Sequence, residues 1–201
     1  MSDHQNHLDH HDDHQHHMDE TDIFGFWIYI MTDCLLFAAI FAAYAVLHNN
    51  TFGSSGIKQL TSLPYVLGET MALLASSFTY GMSILAMYKK NKMQVIFWLG
   101  VTFLFGLTFV GMEAHEFINL YAEGHSWHVS AALTSFFTLV GTHGCHVSFG
   151  LLWMLVLMFQ LLYFDLDHTL VRRLTYLGLF WAFLDIVWIF VYTIVYLMGV
   201  I

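Results

Sequence analysis

Leu139-Val140-Gly141-Thr142-His143-Gly144-Cys145-His146-Val147 stands in the middle of an apolar run that extends from about residue 132 to 164. A run of that length crosses the ~30 Å hydrocarbon core of a bilayer as a helix. Two histidines one helical turn apart, flanked by glycines, therefore fall at membrane depth. An ionisable side chain there is costly unless it is satisfied, so the pair marks a candidate functional site. Three chemistries are open to it: holding a metal or haem, moving protons, or hydrogen bonding between helices.

The rest of the chain has the composition of that run. Of 201 residues, 58% are hydrophobic and only 10% charged, against about 25% charged in a soluble domain. The net charge of −9 is a property of the amino-terminal tail, because the first 22 residues hold seven of the 15 acids and no Lys or Arg. Such a balance argues against nucleic-acid binding. Cys34 and Cys145 both lie in apolar runs, which predicts buried thiols and no disulfide framework. The tail lacks a basic n-region, and the first apolar run is too long for a signal peptide, so the first span is expected to stay in the membrane.

Apolar runs of membrane length occur at about 24–47, 67–88, 95–119, 132–162 and 174–198. The reading is an all-α integral membrane bundle of five helices over 23–201, preceded by a disordered His/Asp-rich tail over 1–22. The links are under about 20 residues, too short to build a core of their own. With the amino terminus inside, Lys89, Lys90, Lys92, Arg172 and Arg173 fall on the inner side and only Lys58 outside. That bias predicts a cytoplasmic amino terminus and a periplasmic carboxyl terminus.

Counting the helical rise sorts the intramembrane polar residues into layers. Asp33 is ~14 Å and Asp185 ~16 Å from the inner ends of their helices, a depth comparable with His143 and His146. These four residues are expected to serve buried hydrogen bonding and close packing. Glu69, Glu113 and Glu116 fall nearer the outer ends and are candidate lipid or interface contacts. Glu113-x-x-Glu116 and His143-x-x-His146 each put two ligand-type side chains on one helix face, a spacing related to that of di-iron carboxylate bundles. The layer count separates the glutamates from the histidines, however, and no other span offers a midplane histidine for haem. No catalytic, metal-binding or cofactor-binding residue is therefore assigned. A chain of ionisable groups leaves an autonomous proton or ion channel as a rival. The tail, with seven of the 14 histidines in its first 17 residues, leaves weak metal binding as another.

Four segments together resemble subunit III of the haem-copper oxidases. They are Phe26-Trp27-Ile28-Tyr29-Ile30-Met31-Thr32-Asp33-Cys34-Leu35-Leu36-Phe37, Gly111-Met112-Glu113-Ala114-His115-Glu116-Phe117, the histidine segment above, and Phe183-Leu184-Asp185-Ile186-Val187-Trp188. The likeness runs from about residue 24 to the end and is nearest to the five-helix form of the bo-type ubiquinol oxidases. It implies a non-catalytic subunit of a proton-pumping complex in the bacterial inner membrane, which oxidises ubiquinol and reduces dioxygen to water. The haem and copper would reside in partner subunit I. Subunits I and II, a small subunit IV and membrane phospholipids would be the partners. A subunit III of a cytochrome c-type oxidase is the alternative within the same resemblance. One departure stands out: the family commonly has His in Trp-His-Phe-x-Asp, where this chain has Ala182 between Trp181 and Phe183.

Overall fold

The computed structural model describes residues 3–47, 63–122, 131–163 and 167–197, with side chains described for 23–47, 65–119, 134–163 and 167–195. Every regular element among them is helical. The order is α1 (Asp3–Leu47), α2 (Leu63–Tyr88), α3 (Lys92–Ala122), α4 (Ala131–Tyr163) and α5 (His168–Val191), with a π-helical turn at Tyr192–Leu197 closing the series. Five segments are long and apolar enough to cross a membrane: Ile23–Leu47, Tyr65–Tyr88, Lys92–Asn119, Thr134–Tyr163 and His168–Val195. The all-α, five-span reading of the sequence holds. Helices dominate because a lipid-embedded backbone must satisfy its own N–H and C=O groups within the segment.

Two details depart from the expectation. The fifth helix begins at His168, not near residue 174, so Arg172 and Arg173 are helical. Asp167 sets that start: its extended backbone leads into the helix and its side chain accepts the His168 N–H at 2.9 Å. The reading placed the boundary where the charges stop, but a helix continues into the polar interface beyond the hydrocarbon. Cys34 and Cys145 are free and exposed, not buried. An outward position on a membrane helix faces an apolar medium, so a thiol has no need of the interior. In the tract 1–22, helical backbone begins at Asp3 and is continuous with the first span. Propagation from an existing helix needs no new nucleus, even where a tract has little apolar surface to pack.

The chain divides into two compact units, Met1–Ala38 and Ala39–Ile201, the boundary falling within α1. In the first, Thr32 donates to the Tyr29 carbonyl at 2.7 Å, and Phe26 and Tyr29 lie with ring centroids 6.2 Å apart. In the second, α2 packs along α3, α3 on α4, α4 on α5, and α5 back on α2, so four helices close a ring. The α2–α3 turn is tight: Lys90 takes a left-handed φ of 54°. Lys90 N donates to Met87 O at 2.9 Å and Asn91 N to Ala86 O at 3.2 Å, closing the last carbonyls of α2. The ring interior is filled by Leu99, Phe109, Leu139, Met154, Leu177, Phe180 and Trp181, all essentially inaccessible. Outward positions such as Phe78, Leu104, Leu152 and Phe190 are large and apolar as well. That distribution suits a surface covered by lipid or by other membrane helices.

Candidate functional site

The buried and half-buried polar residues of the second unit converge on the seams of the four-helix ring. They begin on α2, where Thr70, Ser76 and Ser77 come round to face α5. Trp188 Nε1 donates to Thr70 Oγ1 at 3.1 Å, and Trp181 Nε1 donates to Ser76 Oγ at 3.0 Å. Ser77 Oγ donates to Asp185 Oδ2, while Asp185 Oδ1 has no hydrogen-bond partner among the described residues. Indole N–H groups can only donate and a hydroxyl can do both, so Thr70 also donates to its own Val66 carbonyl at 2.9 Å. The sequence reading assigns these hydroxyls no role. The signal that would find them is Ser or Thr one to two turns apart, facing a helix that carries two Trp.

His143 lies at the centre of the ring with no accessible surface. Its imidazole stacks on Trp188, with centroids 5.1 Å apart and planes at 29°. Phe109 of α3 presents its ring perpendicular to both, 5.9 Å from His143 and 4.7 Å from Trp188. His146 behaves differently: its Nδ1 donates to the Thr142 carbonyl at 2.8 Å, one turn back in its own helix. A carbonyl accepts only, so this bond places a proton on Nδ1. The two histidines of the motif thus have separate surroundings, a ring stack across to α5 for one and a local backbone bond for the other. Asp185, for its part, is hydrogen-bonded to a serine of α2 and to neither histidine. Asp33 stands on α1 within the first unit.

The three glutamates are buried, and Glu113 is closer to the histidine motif than helical counting indicates. Glu69 is fully buried with both carboxyl oxygens lacking a partner among the described residues, and Glu113 and Glu116 lie within electrostatic range of it. Tyr65, one turn before Glu69, donates to the Met112 carbonyl at 3.0 Å and ties α2 to α3 at this level. The Glu113 carboxylate rests on the backbone of Gly144, between the two histidines: a Cβ at 144 would stand 2.6 and 2.7 Å from its oxygens. At Glu113 and Gly144 the glutamate layer inferred from the sequence therefore meets the histidine layer. The count took the third helix to end near 119, whereas α3 runs to Ala122, which sets Glu113 ~14 Å from that end. Even so, among the described residues no group of three or more His, Cys, Asp or Glu side chains is arranged to hold a metal ion. What the arrangement does is join α2, α3, α4 and α5 through donors and rings that face one another.

Four-segment likeness, five spans and this seam of Glu, His, Trp and Asp converge on one family, and a family model described as cytochrome c oxidase subunit III matches residues 2–200. The chain belongs to the cytochrome c oxidase subunit III family. Within that family it is 58% identical to a Pseudomonas aeruginosa protein named cytochrome bo(3) ubiquinol oxidase subunit 3, covering 88% of this chain and 85% of the relative. A Pseudomonas putida protein of the same name is 48% identical, covering 89% and 86%. One from Buchnera aphidicola of Schizaphis graminum is 44% identical, covering 89% and 95%. The family match reaches into the histidine-rich tail, which the motif likeness leaves out.

Proposed function

We propose that this chain is the non-catalytic subunit III of a bacterial, proton-pumping terminal ubiquinol oxidase, a multi-pass protein of the inner membrane. The observation that carries the reading is the 58% identity, over most of both chains, to a bo(3) ubiquinol oxidase subunit 3. In this reading the complex oxidises ubiquinol and reduces dioxygen to water on haem and copper held by subunit I. The present chain performs neither step and flanks subunit I, stabilising it and supporting its proton uptake. Subunits I and II and a small subunit IV are its partners. The amino terminus is cytoplasmic and the carboxyl terminus periplasmic, as the distribution of Lys and Arg favours. Asp33 and His143, which are buried, and His146 and Asp185, which are half-buried, act as hydrogen-bonding and packing residues, and Glu69, Glu113 and Glu116 support the face toward lipid or a neighbouring subunit.

Purification of the tagged full chain from native membranes in mild detergent tests this. Haem- and copper-bearing chains with ubiquinol oxidase activity should travel with it, and the chain separated from them should show no Soret band. A Soret band on the separated chain would overturn the reading in favour of a membrane cytochrome. Proton flux through the reconstituted chain alone, lost in Asp33→Asn, would instead make it a channel. Deletion of residues 1–20 should leave assembly intact.

A further inference from the structure

The histidine-rich tract that precedes the first span has no part in the proposed function. As a disordered tail it would offer histidines at no fixed spacing, and such a tract holds metal ions only weakly. Its backbone is instead helical from Asp3 and runs without a break into the span. A helix turns ~100° per residue, so the order of residues fixes which of them share a face.

His4, His7, His11 and His14 follow one another at steps of three, four and three residues, and His7, His10, His14 and His17 repeat those steps. The two rows interleave on one face. Every histidine of the tract except His16 therefore falls within an arc of ~140°. The acids divide the other way: Asp9, Asp12, Asp13, Asp19 and Glu20 fall on the opposite side, and only Asp3 and Asp22, at the two ends, share the histidine face. Spacing of this kind normally marks an apolar stripe that packs on a core. Here Leu8 and Met18 are the only apolar residues from Asp3 to Asp22, so the face has almost no apolar area to bury. The first 22 residues carry no Lys or Arg against their seven acids, a balance that attracts cations.

Residues three and four apart on a helix are neighbours, and histidines at i and i+4 are the chelating pair of zinc-binding helices. His7 and His11 make one such pair. His10 and His14 make a second, ~60° round the helix from the first. His7 and His14 stand ~10 Å apart along the axis, too far to share an ion whose bonds to nitrogen are ~2 Å long. The four residues thus supply two places. Imidazole nitrogen suits zinc, nickel and copper, whereas calcium and magnesium take oxygen donors.

We propose that this face binds divalent transition-metal ions of the zinc class, one at His7 and His11 and one at His10 and His14. Two chelating pairs on one face of a helix that has no base and little apolar surface match such ions in spacing, donor type and charge. The site goes beyond the proposed function and uses no residue of the buried seam.

Zn²⁺ titrated into the full chain in detergent, without an added histidine tag, tests it by calorimetry. The chain should take up about two ions more than a chain lacking residues 1–20, one for each i,i+4 pair. His11→Asn and His14→Asn should each weaken one place at least tenfold and leave the other. His16→Asn should change neither. Asp9→His combined with His10→Gln keeps the number of histidines but breaks the second pair, and should again lose one ion. Zn²⁺ should also slow amide hydrogen exchange between Asp3 and Asp22 at least fivefold, because an ion across one helical turn holds that turn closed. Equal uptake after deletion of residues 1–20 would overturn the proposal. So would loss of an ion in His16→Asn, or full binding by the Asp9→His, His10→Gln chain, since number and not register would then govern. Binding that requires dimerisation would overturn it too, because the ligands would come from two copies.

Discussion

The carboxylate of Glu113 on α3 lies directly on the backbone of Gly144 on α4, so that a Cβ at residue 144 would stand 2.6 Å from one oxygen and 2.7 Å from the other. Those distances are well inside van der Waals contact, and Glu113 is itself buried. Gly144→Ala should therefore push α3 and α4 apart or force the Glu113 side chain off its rotamer, at a cost of roughly 1–3 kcal/mol. Adding Glu113→Ala to Gly144→Ala removes the clashing atoms. The double variant should recover part of the loss, which additive single effects would not produce. Unfolding of the full chain in detergent, followed by circular dichroism, measures both. A Gly144→Ala chain as stable as the parent would show that the glycine serves no close approach.

Trp188 links three helices at once, by its stack on His143, its edge contact with Phe109 and its bond to Thr70. Trp188→Phe removes the indole N–H and keeps a ring, so it should cost about 1 kcal/mol, the net worth of a hydrogen bond. Trp188→Ala removes the ring too. Transfer to lipid offers little driving force for burial in a membrane, so the loss comes from dispersion and cavity terms, about 3 kcal/mol. If the two variants cost the same in the unfolding assay, the stack with His143 contributes nothing.

How far these contacts were legible in the sequence differs from residue to residue. The five spans were, because a membrane leaves a helical backbone few alternatives and twenty apolar residues advertise it. Trp181, Asp185 and Trp188 could be put on one inward face by spacing alone. The identity of their partners could not, since a Ser or Thr hydroxyl can equally return to its own helix, and Thr70 does both. The approach of Glu113 to the histidine motif was missed for a different reason. Depth counted along a helix inherits the error in its end, and three residues at 1.5 Å each are ~4.5 Å, comparable with the reach of a glutamate side chain. The local bond of His146 is likewise invisible to a motif that treats both histidines alike.

Asp185 depends on Ser77. Its Oδ2 takes the Ser77 hydroxyl, and its Oδ1 has no hydrogen-bond partner among the described residues. Ser77→Ala should thus leave a carboxyl group unsatisfied within the helix pair, costing about 1–3 kcal/mol. Ser77→Ala combined with Asp185→Leu removes both polar groups and should come close to the parent. The same detergent unfolding measurement decides it, and a double variant no better than Ser77→Ala would mean the hydroxyl acts elsewhere.

Gly178 and Tyr80 make another close approach, and here the geometry leaves less room for adjustment. A Cβ at residue 178 would stand 2.7 Å from Tyr80 Cε1. The ring cannot swing away freely, because its hydroxyl donates to the Leu174 carbonyl at 2.6 Å and the residue is buried. Gly178→Ala must either break that bond or displace α5 from α2, and roughly 1–3 kcal/mol is expected for the overpacking. Tyr80→Phe alone should cost about 1 kcal/mol for the hydrogen bond. In the Gly178→Ala background the same change should cost nothing or stabilise, since it frees the ring to yield. A Gly178→Ala chain as stable as the parent would show that the Tyr80 ring yields without cost.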